Sequence, residues 1–172
     1  NNYTFKFTNL DEVFRSLFSW KESCHDRLFE QQQWTPKPLN DVFDFFSDVK
    51  NLEELTPPLL NFRVVGKSTE NIQEGTKIDY KLKIRGVPAK WTSLITNWQP
   101  MTQFADVQLK GPYAKWHHLH LFRSLAGGVL LEDKVVYRLP FSRFGGNLLH
   151  GFIRKDVKTI FSYRRKRIKE WC

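Results

Sequence analysis

In the stretch Gly111-Pro112-Tyr113-Ala114-Lys115-Trp116-His117-His118-Leu119-His120-Leu121-Phe122, three imidazoles are packed between large aromatics. Side chains alternate across a strand, so Trp116, His118, His120 and Phe122 face one way, and Lys115, His117, Leu119, Leu121 and Arg123 the other. Two imidazoles on one face can orient a ligand oxygen, carry a proton near neutral pH, or take a metal ion. Which of these they do depends on the groups that neighbouring elements bring to them.

The next strand supplies the first of those groups. Gly127-Gly128 suits a two-residue hairpin turn, which sets Ala126 against Val129. That count pairs Phe122 with Asp133, His120 with Val135, His118 with Tyr137 and Trp116 with Leu139. On the opposite face Arg123 meets Glu132, a pairing that belongs on a solvated surface. The count therefore turns Trp116, His118, His120 and Phe122 inward together with Leu131, Asp133, Val135 and Tyr137. Asp133 then lies diagonally near His120.

The candidate ligand-binding set is Tyr80, Trp91, Trp116, His118, His120, Phe122, Asp133 and Tyr137. The same groups can equally satisfy one another inside a filled core, and aromatics at alternating positions are commonly ordinary core. As catalysts, His120 assisted by Asp133 is the best acid/base pair, although binding is favoured over catalysis. No metal site is expected: His118 and His120 have His-x-His spacing, yet local sequence announces no third ligand, and an Asp133 beside them more simply fixes an imidazole tautomer. Asp106 and Gln108 are secondary candidates on a strand whose inward face the sequence does not assign. A Gly-x-Ser-x-Gly elbow, a phosphate-cradling glycine loop and a dinucleotide fingerprint are all missing, so no cofactor is expected.

The elements that position these residues follow from periodicity. Leu28 to Trp34 reads as a strand, and Thr35-Pro36 starts a helix carrying Leu39, Val42, Phe43 and Phe46. A second short helix covers Asn51 to Leu55 and stops at Thr56-Pro57-Pro58. Strands follow at Phe62 to Lys67, Lys77 to Arg85, Lys90 to Trp98, Phe104 to Lys110, Ala114 to Leu125 and Val129 to Leu139. Their short connections favour an antiparallel meander. Lys77, Asp79, Lys81, Lys83 and Arg85 point outward, which leaves Ile78, Tyr80, Leu82 and Ile84 inside, opposite Trp91, Ser93 and Ile95. After Gly145-Gly146, the residues Leu148, Leu149, Phe152, Ile153, Val157, Ile160, Phe161 and Ile168 trace a helical stripe from about Asn147 to Lys169. Near the N-terminus, Asn9 and Glu12 cap a short amphipathic helix carrying Leu10, Val13, Phe14, Leu17 and Phe18.

Composition narrows the function classes. A chain of 172 residues with 41% hydrophobic residues fits one sizeable core. Cys24 and Cys172 are isolated and suggest neither a disulfide framework nor a zinc cluster. With nothing resembling a signal peptide or a membrane span, the expectation is a soluble, cytoplasmic protein. The net charge of +9 is concentrated at the C-terminal helix in Arg154, Lys155, Lys158, Arg164, Arg165, Lys166, Arg167 and Lys169. Basic residues there complement the helix dipole and can stay solvated. A weak contact with anionic membranes through Arg164, Arg165, Lys166 and Arg167 is the alternative, and nucleic acid is not the expected partner.

A strand, two short helices, a run of antiparallel strands and a long C-terminal helix resemble the helix-grip arrangement of the START-like, or SRPBCC, superfamily. The segments Val42-Phe43-Asp44-Phe45-Phe46-Ser47-Asp48 and Asn51-Leu52-Glu53-Glu54-Leu55-Thr56-Pro57-Pro58 resemble the opening helices of bacterial members grouped with polyketide cyclases and dehydrases. Gly111-Pro112-Tyr113, Trp116-His117-His118-Leu119-His120 and Tyr137-Arg138-Leu139-Pro140-Phe141 extend the likeness, which runs from about Leu28 to Arg167. It implies an α+β fold in which a curved antiparallel sheet wraps a long helix. Residues 1–24 then form an N-terminal extension, and residues 25–172 the ligand-binding domain. The resemblance also implies an apolar cavity for a lipid, polyketide, quinone or similar molecule. Its function would be binding or carriage, with a cyclase or dehydratase-like enzyme as one alternative and an interaction protein docking through its basic C-terminal helix as another.

Overall fold

The computed structural model describes residues 25–140 and 147–172. The expected N-terminal helix, Cys24, the Gly145-Gly146 breaker and Phe141 lie outside the described residues. Strand β1 (Arg27–Thr35) leads into helices α1 (Leu39–Ser47) and α2 (Val49–Glu54) and a single 3-10 turn at Pro58–Leu60. Six strands follow: β2 (Arg63–Lys67), β3 (Lys77–Ile84), β4 (Val87–Gln99), β5 (Gln103–Lys110), β6 (Lys115–Leu125) and β7 (Gly128–Arg138). Helix α3 (Asn147–Trp171) completes the chain. The strands form one antiparallel sheet in the order β1-β7-β6-β5-β4-β3-β2. This is the helix-grip architecture.

Local chemistry accounts for the boundaries. Asp48 caps α2 by accepting a hydrogen bond from the Lys50 amide, and Pro57 and Pro58 prevent α2 from continuing. In β4 the pairing with β5 slips between Thr96 and Gln99, where Asn97 takes a positive φ of 55°. Such a bulge bends a strand and raises its twist, which curves the sheet towards the helix side.

Helix α3 lies in that curve. Val157, Phe161 and Ile168 are buried and fall on one stripe at helical spacing. Val157 and Phe161 pack against Trp116, Val135 and Tyr137. Ile168 joins Val42, Phe43, Leu55, Phe104, Phe122 and Leu131. Two glutamines of β1 hold the helix from the sheet edge, Gln31 donating to the Phe161 carbonyl (3.3 Å) and Gln33 to the Arg165 carbonyl (3.1 Å). Phe152, expected on the buried stripe, is half exposed and carries the Arg85 guanidinium over its ring.

The β6–β7 register differs from the expected one by two residues. The turn is Ala126-Gly127, with φ of 46° and 76°, and Leu125 pairs with Gly128. Positive φ at both central residues is the hairpin geometry that matches strand twist. Gly128 is a glycine for another reason: a Cβ there would sit 2.2 Å from the Thr35 carbonyl oxygen and 2.9 Å from the Trp34 ring. His120 therefore faces Asp133, His118 faces Val135, and Trp116 faces Tyr137. A shift of two preserves the faces, so the inward set stands while its cross-strand partners change. Arg123 now reaches Glu132 diagonally, since its opposite residue is Leu130. The other face of the sheet is not simply solvated: His117, Leu119, Glu132 and Lys134 are all buried there.

Candidate functional site

Between the sheet and α3 the side chains leave a cavity of about 260 Å³. Most of its wall is apolar. Ile78, Tyr80, Leu82 and Ile84 of β3 form one side with Trp91 and Ile95 of β4. Helices α1 and α2 close another with Phe46, Val49 and Leu52, and α3 contributes Ile153, Ile160 and Phe161. The alternation read in β3 and β4 is what aims these residues inward, and their pairing, Ile78 with Ser93 and Tyr80 with Trp91, follows the expected faces.

One end of the cavity is polar, where Ser93, Asp106, His118, His120 and Arg164 converge. β5 and β6 are paired there, with Asp106 opposite His118 and Phe104 opposite His120. The two imidazole rings lie 3.8 Å apart at a 42° tilt, and His120 is wedged against Phe104 at 4.5 Å. Behind them, Asp133 Oδ1 is 2.8 Å from His118 Nε2 and 3.1 Å from His120 Nδ1. On the cavity side, Asp106 Oδ2 is 3.4 Å from His118 Nδ1 and 3.5 Å from His120 Nε2. Trp91 Nε1 donates to Ser93 Oγ (3.0 Å), which in turn donates to Asp106 Oδ1 (3.4 Å).

The electrostatics follow from this enclosure. Burial opposes charge on Asp106 and Asp133, but their contacts with His118 and His120 outweigh it and hold both carboxyls well below the usual carboxylate range. Burial likewise works against a charged His118, and here the contacts with Asp106 and Asp133 prevail and raise its pKa. Burial, reinforced by the Asp106 charge, pushes the Tyr80 hydroxyl far up, so it stays protonated.

Arg164 is the least expected member. It sits on the buried stripe of α3 between Phe161 and Ile168, with only 6% of its surface exposed. Its guanidinium lies over the Phe161 ring and 4.0 Å from Asp133 Oδ1. Among the described residues, its Nε and Nη1 have no hydrogen-bond partner. The sequence places Arg164 with Arg165, Lys166 and Arg167 as a surface charge. Helical spacing overturns that grouping, since Phe161, Arg164 and Ile168 share one face.

Of the expected ligand-binding residues, Tyr80, Trp91, Trp116, His118 and His120 line the cavity. Asp133 stands behind the histidines instead of on the wall. Phe122 belongs to the core cluster around Phe43 and Phe104, and Tyr137 packs with Trp116, Val135 and Val157. His117, on the reverse face, is buried, and burial lowers its pKa to about 3. Asp106 joins the site, whereas Gln108 turns to the Tyr113 backbone, donating to its carbonyl at 2.7 Å.

The family model described as "Polyketide cyclase / dehydrase and lipid transport" matches residues 35–161. Among solved structures, TTHA0849 from Thermus thermophilus superposes with a TM-score of 0.65 at 15% identity, over 84% of this chain and 98% of that one. A START superfamily protein from Mycobacterium smegmatis gives 0.64 at 9% identity, over 84% and 99%. The di-domain ARO/CYC StfQ from the steffimycin biosynthetic pathway gives 0.67 at 14%, with 84% of this chain covering 50% of that one. At these identities the likeness is one of fold. No curated protein sequence shows a significant match.

Proposed function

The chain belongs to the family of polyketide cyclases, dehydrases and lipid transport proteins, and on that footing we propose that it binds a compact hydrophobic molecule between sheet and C-terminal helix, with the molecule's oxygen-bearing end at His118, His120 and Arg164. One observation carries this reading: most of the cavity wall is apolar, and these side chains meet Asp106 and Ser93 in a polar cluster on it. A volume of about 260 Å³ lies just under the ~300–1,000 Å³ of drug-sized pockets, which suits a ring system or a short chain better than a bulky lipid. Apolar walls contribute affinity, and the few polar groups fix orientation. Arg164 supports a ligand oxygen in particular, because its Nε and Nη1, buried without a hydrogen-bond partner among the described residues, cost free energy that an acceptor would recover.

Native mass spectrometry and organic extraction of the purified protein test the proposal directly, with recovery of a small apolar molecule expected. Titration with an apolar library is the complementary arm, read by the fluorescence of Trp91 and Trp116 on the cavity wall. A protein that yields no molecule and responds to none in the library defeats the reading.

The His118–Asp133 contact of 2.8 Å supports a second reading, a cyclase or dehydratase-like reaction on a bound polyketone. A carboxylate behind an imidazole is the arrangement a general acid or base needs, and the cavity would enforce the reacting conformation. Replacing His120 or Asp133 separates the two: a binder loses affinity, whereas an enzyme loses turnover while it still retains ligand.

A further inference from the structure

Three atoms able to ligate a metal ion meet at the polar end of the cavity: His118 Nδ1, His120 Nε2 and Asp106 Oδ2. Oδ2 is 3.4 Å from the first and 3.5 Å from the second, and all three lie within 4.8 Å of one another. Ligands on a transition-metal ion, bound at about 2.0–2.2 Å, sit roughly 3.0–3.5 Å from their neighbours. Two of the three separations already have that value, and the third is within 4.8 Å.

The far sides of His118 and Asp106 are held by hydrogen bonds, and that of His120 lies against the same carboxylate as His118 without one. Asp133 Oδ1 faces both outer nitrogens, His118 Nε2 at 2.8 Å and His120 Nδ1 at 3.1 Å. A proton on each outer nitrogen leaves the lone pairs of His118 Nδ1 and His120 Nε2 turned towards Asp106. Ser93 Oγ engages the other oxygen of Asp106 and is itself fixed by Trp91. Metal-binding histidines and carboxylates are oriented in this way, by partners on the atoms that do not touch the ion. Charge agrees as well: with neutral imidazoles, Asp106, Asp133 and Arg164 sum to minus one.

We propose that Asp106, His118 and His120 form a three-ligand site for a divalent transition-metal ion such as Zn²⁺ or Fe²⁺, braced from behind by Asp133 and open towards the cavity. The ion takes the place of a proton between the imidazoles and Asp106. Two nitrogens and one carboxylate oxygen suit these ions better than Mg²⁺ or Ca²⁺, which prefer oxygen alone. Three protein ligands leave a position for a ligand oxygen, which the ion would polarise. This goes beyond the binding reading and stands apart from it: a protein that takes up metal but no apolar molecule keeps the site and loses that reading, and the reverse outcome does the opposite.

The test uses the full chain, free of any affinity tag and stripped with a chelator. Calorimetric titration with Zn²⁺ is expected to give one equivalent per chain and a raised melting temperature. D106N and H120Q should abolish uptake, D133N should weaken it about 10–100-fold, and H25Q should leave it unchanged. Should the variants fail to fold, Co²⁺ bound to the unaltered protein is expected to absorb in the visible as a nitrogen–oxygen site and to be displaced by one equivalent of Zn²⁺. No stoichiometric uptake, uptake that survives D106N and H120Q, or a Co²⁺ titration without such absorption overturns the proposal.

Discussion

His120 stands directly opposite Asp133 in the β6–β7 ladder, with its Nδ1 3.1 Å from Asp133 Oδ1. The same oxygen is 2.8 Å from His118 Nε2, so one buried carboxylate is hydrogen-bonded to one imidazole and lies against a second. Removing it leaves charge and donors enclosed without compensation. D133A is therefore expected to cost on the order of 3–5 kcal/mol, the range for breaking a buried pair, and D133N less, because an amide oxygen can still accept. Urea unfolding measures both; a D133A protein within about 1 kcal/mol of the parent would show that Asp133 is not structural.

Ala126 holds a left-handed conformation at φ 46°, beside Gly127 at 76°. An L-residue with a Cβ is strained there, while Asn tolerates it, and Asn-Gly is the preferred pair for this turn. The A126N variant is expected to gain about 1 kcal/mol, seen as a rise of about 2–4 °C in melting temperature for a chain this size. A G127V variant should move it the other way. Equal melting temperatures for A126N and the parent would contradict the turn assignment.

These two positions show how much of the fold and site could be read in the residues. Period-two alternation sufficed for the inward faces of β3, β4 and β6, because burial of one face leaves only one parity. It did not suffice for register. Gly127-Gly128 looks like a turn dipeptide, but Gly128 owes its identity to the Thr35 carbonyl pressed against it from β1, a contact between residues far apart in sequence. Asp106 stayed unassigned for the same reason, since its meaning comes from pairing with His118 across β5 and β6. Arg164 was legible in principle: it lies three residues after Phe161 and four before Ile168. A basic run in sequence masked a helical face in space.

Burial pulls the His117 imidazole down to about 3 from an ordinary 6.5. A lowered pKa means that the folded state resists protonation, so the contribution of neutral His117 is complete above about 6.5 and is lost as pH falls towards 3. Relative to H117Q, the parent should lose its advantage steadily between about pH 6.5 and 4 in urea unfolding experiments. A difference between the two proteins that stays constant across that interval would exclude His117 as a source of acid lability.

The basic end of α3 divides into one charge that faces inward and several that do not. Arg164 is buried against Phe161, whereas Arg165, Lys166 and Lys169 are exposed. Lys166 and Arg167 share Glu170, at 3.7 and 2.6 Å, and Arg167 also approaches Glu54 at 3.9 Å. Exposed pairs of this kind add little to stability because solvent screens them, so a protein carrying R165Q, K166Q and R167Q should unfold at nearly the urea midpoint of the parent. Since two of the three charges already have carboxylate partners, its association with anionic vesicles should also change little. A marked loss of vesicle association would instead assign these residues to a membrane contact. R164M separates the inward charge from the outward ones: it should leave vesicle association alone and weaken capture of oxygen-bearing apolar ligands by about tenfold, the loss of roughly one charge-assisted hydrogen bond.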